Sequence, residues 1–391
     1  MALTWKDWVK QAVSAGGTGA LTLGAASSGY QAFAAGDDGK LFPYSIQDGT
    51  AWETGYGTYT HAGTTFARTS RTDSSTGAAL NVSASAFLWV DLVSNVAAMT
   101  NIGATGVRPG GRLTLTSGTP VTTSDVTGAT SIYYTPYLSN VICLWDGNVW
   151  KPVEFAEVTL ALGTLTSAKP YDVFGYLSSG ALATELLAWT SDTTRATAVT
   201  LQDGRYCKSG AKDRLYLGTF YTTATTTTED SGGFSTTNVG GKRFLWNMYN
   251  RVPRWMGVKD TTDSWSYLTN TIRQARATAG NKIELIVGQS EDVVCAVARG
   301  VVYIQSNGSV AAKSGVGIDS TTTFSGTVQG GYNSNNVALY APVSGDYQGM
   351  LAVGYHYISW NESGSNAGTS TFLGDNAGDS QQTGLLAMVM A

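Results

Sequence analysis

The 391-residue chain holds only two histidines and three cysteines, and 13% of its residues are Asp, Glu, Lys or Arg. Each shortage closes off a kind of chemistry. His61 and His356 lie outside any HExxH or HxH spacing, so they assemble no zinc or iron ligand set. A Ser-His-Asp triad has no better support, because the chain contains no GxSxG turn. Both histidines read as structural. Cys143, Cys207 and Cys295 are far apart and odd in number, without a CxxC pair, which fits buried free thiols rather than a disulfide framework or a metal knuckle. No P-loop and no GxGxxG after a strand occurs, so no cofactor is expected. A net charge of −4 argues against a nucleic-acid-binding surface, which needs clustered Lys and Arg. No run approaches the roughly 18 apolar residues of a membrane span, so no membrane insertion is expected. Gly16, Gly17, Gly19 and Gly24 interrupt what a signal peptide would keep apolar, and the start of the chain is expected to belong to the mature protein.

What the chain has in quantity is Thr, Ser, 47 Gly, 20 Tyr and 11 Trp. β-Branched and aromatic residues suit a pleated, half-buried surface, and glycine supplies positive-φ turns. Candidate strands of four to eight residues recur at short intervals between turn signals, the all-β pattern. In Leu144-Trp145-Asp146-Gly147-Asn148-Val149-Trp150, Asp-Gly between apolar runs predicts a hairpin. Two short helices are allowed: over 3–13, where Leu3, Trp5, Trp8, Val9, Ala12 and Val13 have near-helical spacing, and within 264–277. The ending Leu385-Leu386-Ala387-Met388-Val389-Met390 is an apolar strand that must be buried in its own domain or against a partner.

The expected organisation is four segments: an arm over 1–40, a first β domain over 41–103, a β-sandwich-like domain over 104–254 and a β-sandwich tip over 255–391. The arm joins a short Trp-bearing stretch to a Gly/Ala-rich extension that cannot form its own core, which marks Trp5, Trp8 and Val9 as candidate attachment residues. No repeat of 20–50 residues is visible, which argues against a solenoid or propeller.

A glycosidase needs two carboxylates about 5–10 Å apart. The candidates are Glu53, Asp91, Glu154, Glu157, Asp172 and Glu185, of which Glu154 and Glu157 are closest in sequence. Solvated strand ends explain that pair as well. The cluster Leu245-Trp246-Asn247-Met248-Tyr249-Asn250-Arg251 reads as a strand packed on both faces, with a sugar-stacking platform as the sharper alternative. Tyr332, Asn333, Asn335 and Tyr347, with Tyr340, Tyr357 and Asn336 nearby, offer aromatic faces and short amides suited to receptor contact.

Several segments resemble a module shared by structural fibre and tail-associated proteins of tailed phages. They are Ala51-Trp52-Glu53-Thr54-Gly55-Tyr56-Gly57-Thr58-Tyr59 with Phe66-Ala67-Arg68 and Asp73-Ser74-Ser75, then Tyr134-Thr135-Pro136-Tyr137, Leu215-Tyr216-Leu217-Gly218-Thr219 and Phe244-Leu245-Trp246-Asn247-Met248-Tyr249-Asn250-Arg251-Val252. The resemblance covers about residues 40–310. It implies a non-enzymatic virion protein assembled in the host cytoplasm. Its form would be an elongated homotrimer, attached by its N-terminus to tail, neck or capsid proteins, with the C-terminal domain distal and facing a host glycan or protein. A head fibre or capsid decoration protein, and a polysaccharide-degrading tailspike, are the alternatives.

Overall fold

The structure is a computed structural model, and it describes residues 4, 6–90, 107–233, 239–305, 309–334, 337–374 and 383–391. The fold is all-β as expected, 58% strand and 3% helix. The chain forms two compact units, 1–107 with 145–152, and 108–144 with 153–391.

The first unit is a closed antiparallel barrel of β1 (Lys10–Ala15), β2 (Leu21–Ala26), β3 (Leu41–Asp48), β4 (Ala51–Thr60), β5 (Thr65–Ser74) and β6 (Phe87–Trp89), in the order β1-β2-β5-β4-β3-β6. The short β6 closes the ring: Leu88 lies opposite Gln11 on one side and Ile46 on the other. Period-two alternation drives Val9, Val13, Leu21, Leu23, Phe42, Tyr44, Ile46 and Leu88 inward. Gly57 has to be glycine, because a Cβ there would come within 2.0 Å of the Phe66 ring.

Two expectations are corrected here. The stretch expected to be helical instead holds β1, since Val9, Gln11 and Val13 alternate inward while Trp8 is 69% exposed. Nor is 1–40 a separate arm: β1 and β2 are staves of the barrel, and their apolar residues share one core with Phe42, Tyr44 and Phe66. Leu3 and Trp5 lie outside the described residues.

Inside the barrel, Glu53 and Arg68 form a buried ion pair, with side chains 1% and 5% exposed. The Arg68 guanidinium reaches both Glu53 oxygens at 3.0 Å and the carbonyls of Leu80 at 2.9 Å, Gly17 at 2.8 Å and Gly19 at 2.9 Å. Glu53 also accepts from Tyr44 Oη and the Leu80 N–H, each at 2.7 Å.

The strands Val141–Trp145 and Trp150–Glu154 pair as the Asp-Gly signal predicted. Asp146 Oδ1 accepts the N–H groups of Asn148 and Val149 at 2.9 Å, and Gly147 takes φ 105°. The expected boundary at 254 is not a break, because Lys242–Arg243 runs parallel to Lys282–Val287 in one continuous sheet. Beyond it, a seven-stranded sheet faces part of that larger sheet. Between them lie Met256, Val258, Ile283, Leu285, Val294, Val316, Ile358, Trp360, Leu385, Ala387 and Val389. The last strand, Gly384–Met390, is central, between Pro253–Lys259 and Val293–Ile304. The expected helix within 264–277 is instead a strand, Ser264–Tyr267, followed by a single 3₁₀ turn, Ala275–Ala277, in which Arg276 and Ala277 take positive φ.

Replacing Glu53 by Gln leaves Arg68 buried without its counter-charge. The expected cost is about 3–5 kcal/mol in the barrel's unfolding transition, measured by urea denaturation with Trp fluorescence; a loss below about 1 kcal/mol would show that the pair is dispensable.

Candidate functional site

The carboxylates proposed from sequence are committed elsewhere. Glu53 is locked to Arg68. Asp172 takes Arg195 Nε at 2.8 Å and Thr219 Oγ1 at 2.7 Å. Glu185 takes Arg214 at 2.8 Å and Lys208 at 3.4 Å. Glu157 accepts from Ser117 Oγ, Thr135 Oγ1 and the Gly118 N–H. Burial alone would raise its carboxyl, but those three donors outweigh burial and hold it below the ordinary range. Glu154 is exposed at the end of its strand. Asp91 lies outside the described residues. Two further carboxylates are fully buried. Glu362 receives Trp265 Nε1 at 2.6 Å and Arg273 Nε at 2.8 Å; Asp260 receives Arg276 Nε at 2.7 Å and Asn281 Nδ2 at 2.8 Å. Such carboxylates brace the segments around them.

The other candidates sort in the same way. Trp246 is 3% exposed, packed against Tyr216, Phe244 and Ile286, which leaves no platform for a sugar ring. Cys143 and Cys207 are buried, and burial pushes the Cys207 thiol up to about 12. Cys295 departs from expectation, half-exposed on the outer side of its strand. His356 meets Asp319 Oδ2 at 2.7 Å through Nδ1 and the Ala352 carbonyl at 2.8 Å through Nε2. Two acceptors are best satisfied when both ring nitrogens donate, an arrangement that favours the cation.

Of the candidate receptor residues, Tyr332 is 61% exposed. Asn333, by contrast, is buried, its amide donating to the Val337 carbonyl at 2.9 Å, so it splints the local turn and is not offered to a ligand. Tyr347 is half-buried against the sandwich core. Asn335 and Asn336 lie outside the described residues. Tyr340 is 62% exposed, and its ring lies 5.1 Å from that of Tyr303.

The residues named for attachment separate as well. Val9 is in the barrel core and unavailable to a partner. Trp8 is exposed, and its φ of 56° is a conformation a bulky residue rarely adopts. It begins an aromatic cluster that the linear reading missed. The Trp8 and Tyr30 rings lie 5.7 Å apart. The Lys10 ammonium stands 5.7, 5.1 and 5.3 Å from the ring centres of Tyr30, Phe87 and Trp89, within cation–π range. Register extends the face: Phe87 lies opposite Gln47 on β3, which lies opposite Trp52 on β4. Trp52, Tyr30 and Phe87 are each at least 40% exposed. The signal for this face is period-two alternation, legible only once 8–15 and 87–89 are known to be strands.

No family model and no curated protein matches the chain. Among solved structures it is similar to a Bacillus thuringiensis Cry1Da tryptic core variant, at 7% identity and a TM-score of 0.16, over 68% of this chain and 48% of that one. It is also similar to a structure of infectious bursal disease virus, Gx strain, at 9% identity and a TM-score of 0.18, over 68% and 64%. Likenesses at these scores carry no argument about function.

The His356–Asp319 contact sets a pH dependence. Burial pushes the imidazole down, but the bonds to Asp319 and the Ala352 carbonyl outweigh it and raise the group above its ordinary value. Asp319 is lowered: burial opposes ionisation, and His356 and the Tyr357 N–H prevail. A raised histidine contributes stability that is complete below about pH 6.5 and lost as pH rises through the folded value. A lowered Asp contributes stability present above its unfolded value and lost as pH falls through the folded one. The Tm is expected to fall from pH 6 to pH 8.5 and to fall less in His356→Gln; equal slopes by scanning calorimetry would remove the pair from the pH response.

Proposed function

We propose that the chain is a non-enzymatic structural subunit of a tailed-phage virion appendage, a fibre or spike that works as a homotrimer. The observation that carries the reading is the aromatic face of the barrel, Tyr30, Phe87 and Trp89 around Lys10, with Trp8 against Tyr30 and Trp52 further along the row of Phe87. Rigid, exposed aromatics on a closed sheet are what a protein-docking surface uses, because large contact area is gained with little side-chain ordering. The segments that resemble phage fibre and tail-associated proteins give that surface its context. Attachment to the particle is then the work of the barrel face, not of a flexible arm.

The interior supports the same reading. General acid–base catalysis needs groups poised near working pH and open to substrate. Among the described residues, the carboxylates weighed for catalysis accept from arginine, lysine, hydroxyl or backbone donors, or, like Glu154, are exposed without a described partner carboxylate. A fibre tip recognises its receptor with exposed side chains, and Tyr332, 61% exposed, is available for that role.

The test is incorporation. The double variant Trp8→Ala/Phe87→Ala removes two outward rings, so it should remain folded by circular dichroism. Each hot-spot aromatic is worth about 2 kcal/mol or more, so incorporation into particles should drop at least about tenfold. Incorporation at the wild-type level would overturn the attachment role. Incubation of the intact protein with host surface polysaccharide should leave chain length unchanged over hours; progressive shortening would overturn the non-enzymatic reading.

A further inference from the structure

The outer side of the seven-stranded sheet has no partner within the described chain. Five of its strands run Pro253–Lys259, Gly384–Met390, Val293–Ile304, Leu339–Met350 and Thr327–Gln329 in that order, and Ser370–Leu373, paired with Ser264–Tyr267, joins the far end of Val293–Ile304. Alternation sends one set of side chains into the core and the other set outward. The outward set is not polar. One row reads Trp255, Met388, Cys295, Gln348; the next reads Gly257, Leu386, Val297, Asp346. At the end of the sheet, Val293 faces Met350, and these two are 49% and 60% exposed. A solvent-facing sheet surface ordinarily alternates to polar residues.

We infer that this outer face is where copies of the chain pack on one another, so that the seven-stranded sheet forms the subunit interface. The inference rests on the oligomeric reading above and says which surface makes the oligomer.

Three observations select a second copy as the occupant. The first is size. The five strands hold 7, 7, 12, 12 and 3 residues. At about 3.4 Å per residue and about 4.8 Å per strand they present about 670 Å², close to one partner's share of a standard interface. The second is composition. Trp255, Met388, Leu386 and Val297 adjoin one another across neighbouring strands, with Asp346, Arg299 and Lys259 beside them, the mix of apolar area and charge that interfaces carry. The third is charge. Lys259 and Arg299 occupy the row next to Asp346 on the same face. Among the described residues Arg299 has no ion-pair partner. A surface that carries both signs can satisfy a copy of itself. A nucleic acid or an anionic membrane would need clustered cations instead.

The experiment uses the full chain. Val297→Glu places a carboxylate beside Leu386 on the outer face without touching the core, so the variant should fold normally. Light scattering at about 10 μM should give a multiple of the chain mass for the wild type and the single-chain mass for the variant. The control Leu201→Glu alters another residue that is 61% exposed and should leave the oligomer intact. Cys295 supplies a second readout. In the assembled protein it should react with a bulky maleimide at least about tenfold more slowly than in Val297→Glu, while Cys143 and Cys207, both buried, stay unlabelled in each. An oligomer that survives Val297→Glu, with Cys295 equally reactive in both proteins, would overturn this assignment and leave the attachment role standing. A wild-type protein that is monomeric would overturn it together with the oligomeric reading. Loss of particle incorporation with the oligomer intact would bear on the barrel alone.

Discussion

The fold depends on guanidinium groups placed inside it. Helices and central strands satisfy their own backbone, but the turns and irregular segments of this chain cannot, and a buried carbonyl without a donor is costly. Arginine answers that need with five donors in a rigid fork. In the barrel, Arg68 gathers the carbonyls of Gly17, Gly19 and Leu80 onto Glu53. In the second unit, Arg112 binds the carbonyls of Pro120 and Asn250 and the oxygen of Ala391, at 2.6–2.9 Å. Burial, with Arg254 nearby, lowers Arg112 to about 10, still charged at neutral pH. Asp230 is held between Arg243 and Arg254 at 3.0 and 2.8 Å. Each fork ties together pieces of chain far apart in sequence. A protein with so few charges has placed several of them where they act as cross-links.

That use of charge also weighs against general-base chemistry at these carboxylates. A carboxylate that accepts from an arginine and from backbone N–H groups has its charged form stabilised, which makes it a weaker base. Glu362 shows the limit. Burial pushes its carboxyl up, the direction a general acid needs, yet Trp265, Arg273 and the Arg276 N–H already occupy it. A perturbed group becomes a site only when something can reach it.

How much was legible in the sequence follows from the range of the interactions involved. The all-β class, the Asp146-Gly147 hairpin and the apolar last strand are local signals, carried by composition, turn chemistry and alternation. The barrel is not local. Its closure rests on a three-residue strand, Phe87–Trp89, pairing with both the first and third strands, and nothing near residue 10 announces that partner. Without it, Trp8 and Val9 look like one helical face; with it, they point to opposite sides of the barrel wall. The boundary expected near 254 failed for the same reason, since the parallel pairing of Lys242–Arg243 with Lys282–Val287 brings distant segments together. Asn333 and Tyr332 were read as equals because both are common at recognition surfaces, and their register sends one inward and the other out.

The last strand shows how a correct reading can rest on half of its own evidence. Its apolar run argued for burial, and Leu385, Ala387 and Val389 are indeed consumed by the core of their own domain. Those three residues therefore say nothing about a partner. The case for one passes to the residues between them, Leu386, Met388 and Met390, which the pleat turns outward and leaves half-buried. A strand apolar on both faces belongs between two layers. The chain supplies one layer, and the outward row of this strand, Leu386, Met388 and Met390, is apolar throughout.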